Sequence, residues 1–280
     1  MREFKAKECK FTIVRQRPDC ESTPCPWLRC ADGANTMACV SPHHGRSFVV
    51  GRHDDGRFVV SKGNGLSYTQ HAHLYSAEFG DNAWGLLLER DAIRDFDLGM
   101  EIAALGIKTN KMEYVLRLDE QVILTTGHIV YPILLQYSVE CPYRICDAPY
   151  MHREEIEREV AKWDRFNDKG YDSPTMIAAD VLVRNLRVLH DHEILHNAIH
   201  FQNYTWALEL LDFELSCSPT HPYDDEQSNR VAKELYAREI IQTYEVINHI
   251  AGCLHEPIDY AKMDALFRNY GFDIDKFSYK

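Results

Sequence analysis

The chain has 280 residues and a formal net charge of −12, with 45% hydrophobic and 26% charged residues, the balance of a globular protein with a sizeable core. The acidic balance argues against nucleic acid as a partner and favours a cationic protein segment or a metal-bound nucleotide. No run reaches the roughly 18 apolar residues that span a bilayer, and MREFKAKECKF at the N-terminus lacks the apolar centre of a leader peptide.

The first 135 residues are rich in Val, Ile, Gly and aromatics, with turn signals at Asp32-Gly33, Asp55-Gly56 and Gly63-Asn64-Gly65. Short strands are predicted at 11–15, 46–50, 57–62, 112–117 and 121–126. Between them, Arg90 to Leu105 has helical spacing, with Ile93, Phe96, Met100 and Ala104 on one face and Gly106 as its stop. After Pro142 the pattern turns helical. A charged amphipathic helix covers 154–167, and Ser173-Pro174 opens another that runs to about Leu189. Helices at 226–252 and 259–270 follow, with a turn between them. These spans predict an α+β fold of two lobes. Residues 1–138 form a β-rich lobe with one main helix, residues 139–280 a helical lobe, and the connector lies near Tyr137 to Pro142.

Nine cysteines stand in no regular framework, which points to a reducing compartment, the cytoplasm; an effector exported by another route has the same composition. Five of them (Cys9, Cys20, Cys25, Cys30 and Cys39) crowd the first 40 residues without a C-x-x-C pair, so reduced thiols are expected there rather than a zinc knuckle.

The chemistry concentrates between Leu189 and Phe213, which reads LHDHEILHNAIHFQNYTWALELLDF. His196-Asn197-Ala198, four residues, Asn203, and later Asp212-Phe213-Glu214 resemble the catalytic loop and metal strand of protein kinases. That pattern is His-Arg-Asp, four residues, Asn, then Asp-Phe-Gly. Asn203 and Asp212 stand at the two metal-ligand positions, and their oxygens suit Mg²⁺, with Mn²⁺ a second fit. Ala198 stands where the proton-accepting Asp would be. A lysine must neutralise the phosphates of ATP. Lys62 ends the strand FVVSK and meets Gly63 and Gly65, where backbone can approach a ligand closely. Its acidic partner is expected on the 90–105 helix, at Asp95 or Glu101. The segment GRHDDGRFVV (51–60) is read as a hairpin over the phosphates, with Arg52 and Arg57 adding charge, although Asp-Gly is also a plain hairpin turn. A competing motif, His192-Glu193-Ile194-Leu195-His196, matches the zinc-protease helix. Its longer form needs Gly at 199 and His at 202, where the chain has Ile199 and Gln202. The stretch 204–213 reads as a strand, not as a helix bearing a third ligand.

Further residues resemble the selenoprotein O protein adenylyltransferases. These are Lys62-Gly63-Asn64-Gly65-Leu66-Ser67-Tyr68-Thr69, Ile93-Arg94-Asp95-Phe96, Ala104-Leu105-Gly106-Ile107-Lys108-Thr109, and the nine-residue step from Asn203 to Asp212. The resemblance covers roughly 45–215 in blocks. It implies that Lys62 holds phosphates, that Asp95 orients Lys62, and that Asn203 and Asp212 hold Mg²⁺. It further implies that the nucleotide lies inverted relative to kinases, so that AMP moves to a protein Ser, Thr or Tyr hydroxyl and pyrophosphate leaves. The chain departs from the family pattern at Gln202, which replaces an Asp, at Asp95, which replaces a longer Glu, and at Glu214, which replaces Gly. An amide at Gln202 cannot take a proton at neutral pH. The alternatives are a kinase that moves the γ-phosphate and a nucleotide-binding interaction module without transfer.

Overall fold

The computed structural model describes residues 1–65, 85–123 and 129–274, so Leu66 to Thr69 and the second half of the expected 121–126 strand lie outside the described residues. Among the described residues eight strands make one antiparallel sheet: β1 (Arg2–Glu8), β2 (Phe11–Gln16), β3 (Trp27–Arg29), β4 (Asn35–Cys39), β5 (Ser47–Arg52), β6 (Phe58–Lys62), β7 (Lys111–Leu118) and β10 (Ile133–Val139). Their order is β2-β7-β10-β6-β5-β4-β1-β3. A separate two-stranded pair joins β8 (Val122–Ile123) to β9 (Ile129–Val130). Leu28 of β3 shares a core cluster with Leu116 and Leu118 of β7 and Leu134 of β10. Strands far apart in the ladder therefore bury their apolar faces together. A second cluster joins Ala6, Met37, Cys39, Phe48, Val50 and Val59.

Among the described residues there are five α-helices: α1 (Glu89–Ala104), α2 (Arg153–Ala161), α3 (Pro174–Asp191), α4 (Glu226–Leu254) and α5 (Tyr260–Asn269). Each of the last three opens on a side-chain cap. Ser173 accepts from the Met176 N–H, Asp225 from Ser228 and Asp259 from Lys262, satisfying donors that a helix start leaves bare. The expected helix at 154–167 breaks after Ala161 into a 3-10 turn over Lys162–Phe166, which buries Trp163. There its indole stacks on Trp206 at 5.9 Å and donates to the Trp206 carbonyl at 2.7 Å.

The chain divides into two units, Met1–Met100 with Asn110–Pro142, and Glu101–Thr109 with Tyr143–Lys280. The break falls at Pro142. Residues 137–139 are not a connector, because they belong to β10, an interior strand whose seven residues are all buried. The last turn of α1 and the residues after it group with the second unit. Among the described residues no helix is long and apolar enough to cross a membrane.

Gly63 follows β6 with φ +104°, and a Cβ there would sit 2.3 Å from the Ile133 carbonyl oxygen. Gly51 sits where the β5–β6 register shifts, and a Cβ there would meet nothing within 4 Å. Urea unfolding is therefore expected to show Gly63→Ala losing about 2–3 kcal/mol, while Gly51→Ala stays within about 0.5 kcal/mol of the parent.

Candidate functional site

In the first unit β6 delivers Lys62 into the interior. Nζ donates to Asp95 Oδ2 at 2.9 Å, and the two residues are 3% and 1% exposed. Asp95 lies on the inward stripe of α1 with Ala92, Phe96 and Ile102. This stripe is rotated from the expected one; Ala104 is exposed. Burying two charges costs several kcal/mol per ion in desolvation, which their attraction only offsets. The pair is a poor stability device and a good way to hold one lysine in one place. The other acidic candidate, Glu101, is engaged elsewhere, with Ser218, Thr220 and His221.

The glycines beside Lys62 bring backbone to backbone. The Gly63 N–H donates to the Arg46 carbonyl at 3.0 Å and that of Gly65 to Gly85 at 3.2 Å. Among the described residues, two buried side-chain atoms near Lys62 in sequence, Ser61 Oγ and Asn64 Oδ1, have no hydrogen-bond partner. Such atoms are rare in a folded interior and costly.

The hairpin at 53–56 lies at the opposite end of β6 from Lys62, five residues or about 16 Å along the strand. Its arginines are spent locally. Arg52 Nε donates to the Gly56 carbonyl at 2.8 Å, and its guanidinium sits over the Phe58 ring. Arg57 donates to Ser138 Oγ at 3.2 Å and to the Ser138 carbonyl at 2.8 Å, and lies 3.6 Å from Glu140. His53 ties the tip to buried Glu113 at 2.7 Å. The structure thus does not bring Arg52 and Arg57 to Lys62. The turn that does lie beside Lys62 is the β4–β5 connection, which sequence reasoning passed over. Ser47 pairs with Lys62, and Ser41 caps a 3-10 turn over Pro42–His44 by accepting from the His43 N–H. Its only signal in the sequence is Pro42 followed by Gly45.

In the second unit α3 stops at Asp191, and Glu193 takes a left-handed φ of 56°. His192 and His196 therefore do not share a helical face, and the zinc-protease reading fails. His196 is wholly buried. Its Nδ1 accepts from the Ala198 N–H at 3.2 Å and its Nε2 meets the Leu211 carbonyl at 3.0 Å, so the neutral tautomer carries its proton on Nε2. Burial pushes its pKa below the ordinary value. Its ring lies edge-on to Phe213. The Asn197 N–H donates to Glu239 on α4 at 2.6 Å, and the same buried carboxylate reaches His190 at 3.0 Å. Glu239, a wholly buried acid inside a helix, is a second residue that sequence reasoning missed.

These bonds tie together the two loop segments that carry Asn203 and Asp212. The Leu211 N–H donates to the Asn203 carbonyl at 2.9 Å, which makes Asp212 its immediate neighbour. Asn203 Nδ2 donates to the Ala198 carbonyl at 2.9 Å, so Oδ1 is the atom that can serve a cation. Asn197 and Asp212 both have left-handed φ, 62° and 70°, a local cost that functional loops often carry. The expected strand at 204–213 is instead a tight turn. The Thr205 N–H donates to the Glu209 carbonyl, Leu208 has φ 59°, and Tyr204 bridges Leu210. At Ala198 the loop presents a methyl group.

Protein-family models and curated proteins give no match to this chain. The donor chemistry nevertheless suits a nucleotide with a hard divalent cation. One unit holds an ammonium against a buried carboxylate. The other carries an amide and a carboxylate on two stretches of one loop joined by a backbone hydrogen bond. Among the described residues the cysteines form no metal-binding group, and all nine are free thiols.

Lys62→Met is expected to cost about 3–5 kcal/mol in urea unfolding by removing the ammonium from the buried Asp95 carboxylate, and the added substitution Asp95→Leu to recover most of that loss. The pH dependence carries a second expectation. Unfolded His196 titrates near its ordinary 6.5 and folded His196 below it. Below that pH the unfolded chain binds the extra proton, so stability falls as pH falls. His196→Asn should flatten this slope by up to about 1.4 kcal/mol per pH unit.

Proposed function

We propose that the chain is an ATP-dependent transferase of kinase-like, two-lobed fold that moves AMP from ATP to a hydroxyl of a protein Ser, Thr or Tyr. The observation that carries this reading is the buried Lys62–Asp95 pair at 2.9 Å. A desolvated ion pair earns its place as a phosphate anchor rather than as a source of stability. Lys62 takes phosphate oxygens and Asp95 fixes its ammonium. Asn203 and Asp212 hold Mg²⁺, which neutralises charge on the phosphate chain when bound. His196 and Glu239 hold the loop backbone, so that these two donors keep their positions without substrate.

The loop supports adenylyl transfer over ordinary phosphorylation because it keeps its hydrogen-bonded frame while Ala198 supplies no proton acceptor. The missing base is worth on the order of 10²–10⁴ in rate to an ordinary kinase. Ala198 and Gln202 together also favour a second reading, a module that binds nucleotide and transfers nothing.

Incubating the chain with Mg²⁺ and ATP labelled on the α- or the γ-phosphate separates these readings. Protein-bound α-label, lost in Asp212→Ala, is expected. Bound γ-label alone would mean a kinase, and nucleotide binding with neither label a binding module.

A further inference from the structure

Outside these residues, one carboxylate oxygen of the second unit collects three neighbours. Glu101 Oε2 accepts from Thr220 Oγ1 at 2.7 Å and from Ser218 Oγ at 3.0 Å, and lies 3.0 Å from His221 Nδ1. The three partners sit on one tight turn, where Ser218 and His221 exchange backbone hydrogen bonds of 3.2 and 3.1 Å. The Ser218 and Thr220 hydroxyls are 2.9 Å apart, and Thr220 Oγ1 lies 3.1 Å from His221 Nδ1. Ser218 is buried at 5%, whereas Pro219 and Thr220 are exposed at the tip.

Partly exposed hydrogen bonds of this kind add only about 1 kcal/mol each to stability. Their chemical consequence is larger. A hydroxyl that donates to a carboxylate at 2.7 Å is a nucleophile with its proton acceptor already in place. That acceptor is what the 196–203 loop lacks, since Ala198 has no titratable group and Gln202 carries an amide. Thr220 is exposed and within reach of another molecule; Ser218, on the same oxygen, is covered.

We propose that Thr220 is an acceptor hydroxyl for the chain's own transfer reaction, with Glu101 as its general base; this rests on the adenylyltransferase reading above. Thr220 Oγ1 attacks the α-phosphorus of ATP and forms the new P–O bond. The bond from the α-phosphorus to the oxygen bridging the β-phosphate breaks, and pyrophosphate leaves with the electron pair. The hydroxyl proton passes to the Glu101 carboxylate and from there to water. The product sets a phosphodiester anion beside Glu101 and removes the Thr220 donor, so modification loosens the turn that Glu101 holds.

The test uses the full chain with Mg²⁺ and α-labelled ATP, read by intact mass and by peptide mapping. The wild type is expected to carry one AMP on the peptide containing Thr220. Thr220→Val should lose it and Thr220→Ser regain it. Glu101→Gln keeps a hydrogen-bonding side chain of the same size but cannot take the proton, so it should slow labelling by about 10²–10⁴-fold while its melting temperature stays near that of the wild type. Label confined to other residues, unchanged in Thr220→Val, would overturn the assignment of Thr220 and leave the transferase reading intact. A Glu101→Gln rate equal to wild type would overturn the role of Glu101. An absence of α-label on any residue, while ATP still raises the melting temperature, would overturn both the inference and the reading beneath it.

Discussion

A lysine ammonium and an aspartate carboxylate, both almost wholly removed from water, meet at 2.9 Å in the first unit. This pair constrains much around it. Lys62 must end an interior strand, and Asp95 must lie on the inward stripe of α1 among apolar residues. A core that only had to be stable would fill both positions with hydrophobic side chains. Among the described residues, Ser61 Oγ and Asn64 Oδ1, close to the lysine in sequence, are buried without a hydrogen-bond partner. On the proposed function, the pair is a place prepared for charge that arrives with a ligand.

The second unit solves a similar problem with backbone rather than with an ion pair. The segment from His196 to Asp212 contains little regular structure, yet nearly every turn of it is pinned. His196 joins the start of the loop to the carbonyl before Asp212, Asn203 joins its own middle to Ala198, and Glu239 reaches in from α4 to the Asn197 N–H. Left-handed backbone at Asn197, Leu208 and Asp212 is held by this frame. The expense is concentrated around Asn203 and Asp212, the two side chains suited to a hard cation.

Much of this was readable in the residues. FVVSK is a run of alternating and β-branched residues ending in lysine, and it forms a strand with that lysine at its end. Ser173-Pro174 opens α3 where the cap chemistry says it should. Of the two acids expected on the 90–105 helix, Asp95 rather than Glu101 pairs with Lys62. Other features were hidden for definite reasons. β1 reads REFKAKE, and its charges mask the inward positions Phe4 and Ala6. A buried aspartate in the stripe of α1 moved the apparent apolar face by a residue or more. β10 has no turn signal before Pro142, so its last residues looked like a connector. The Pro42–His44 turn and Glu239 act through backbone hydrogen bonds, which leave no periodic trace in sequence. The zinc-protease match failed because α3 ends before the second histidine, a fact that five letters cannot carry.

On the proposed function the two sets of residues depend differently on metal. The ammonium of Lys62 would attract phosphate with or without a cation, whereas Asn203 and Asp212 would act only through one. Calorimetric titration with ATP, in the presence and absence of Mg²⁺, tests this division directly. The wild type is predicted to bind ATP more tightly with Mg²⁺. Asp212→Ala should lose the magnesium dependence, and Lys62→Met should weaken binding under both conditions. A wild-type chain that binds no ATP, or variants that bind as the parent does, would contradict the account.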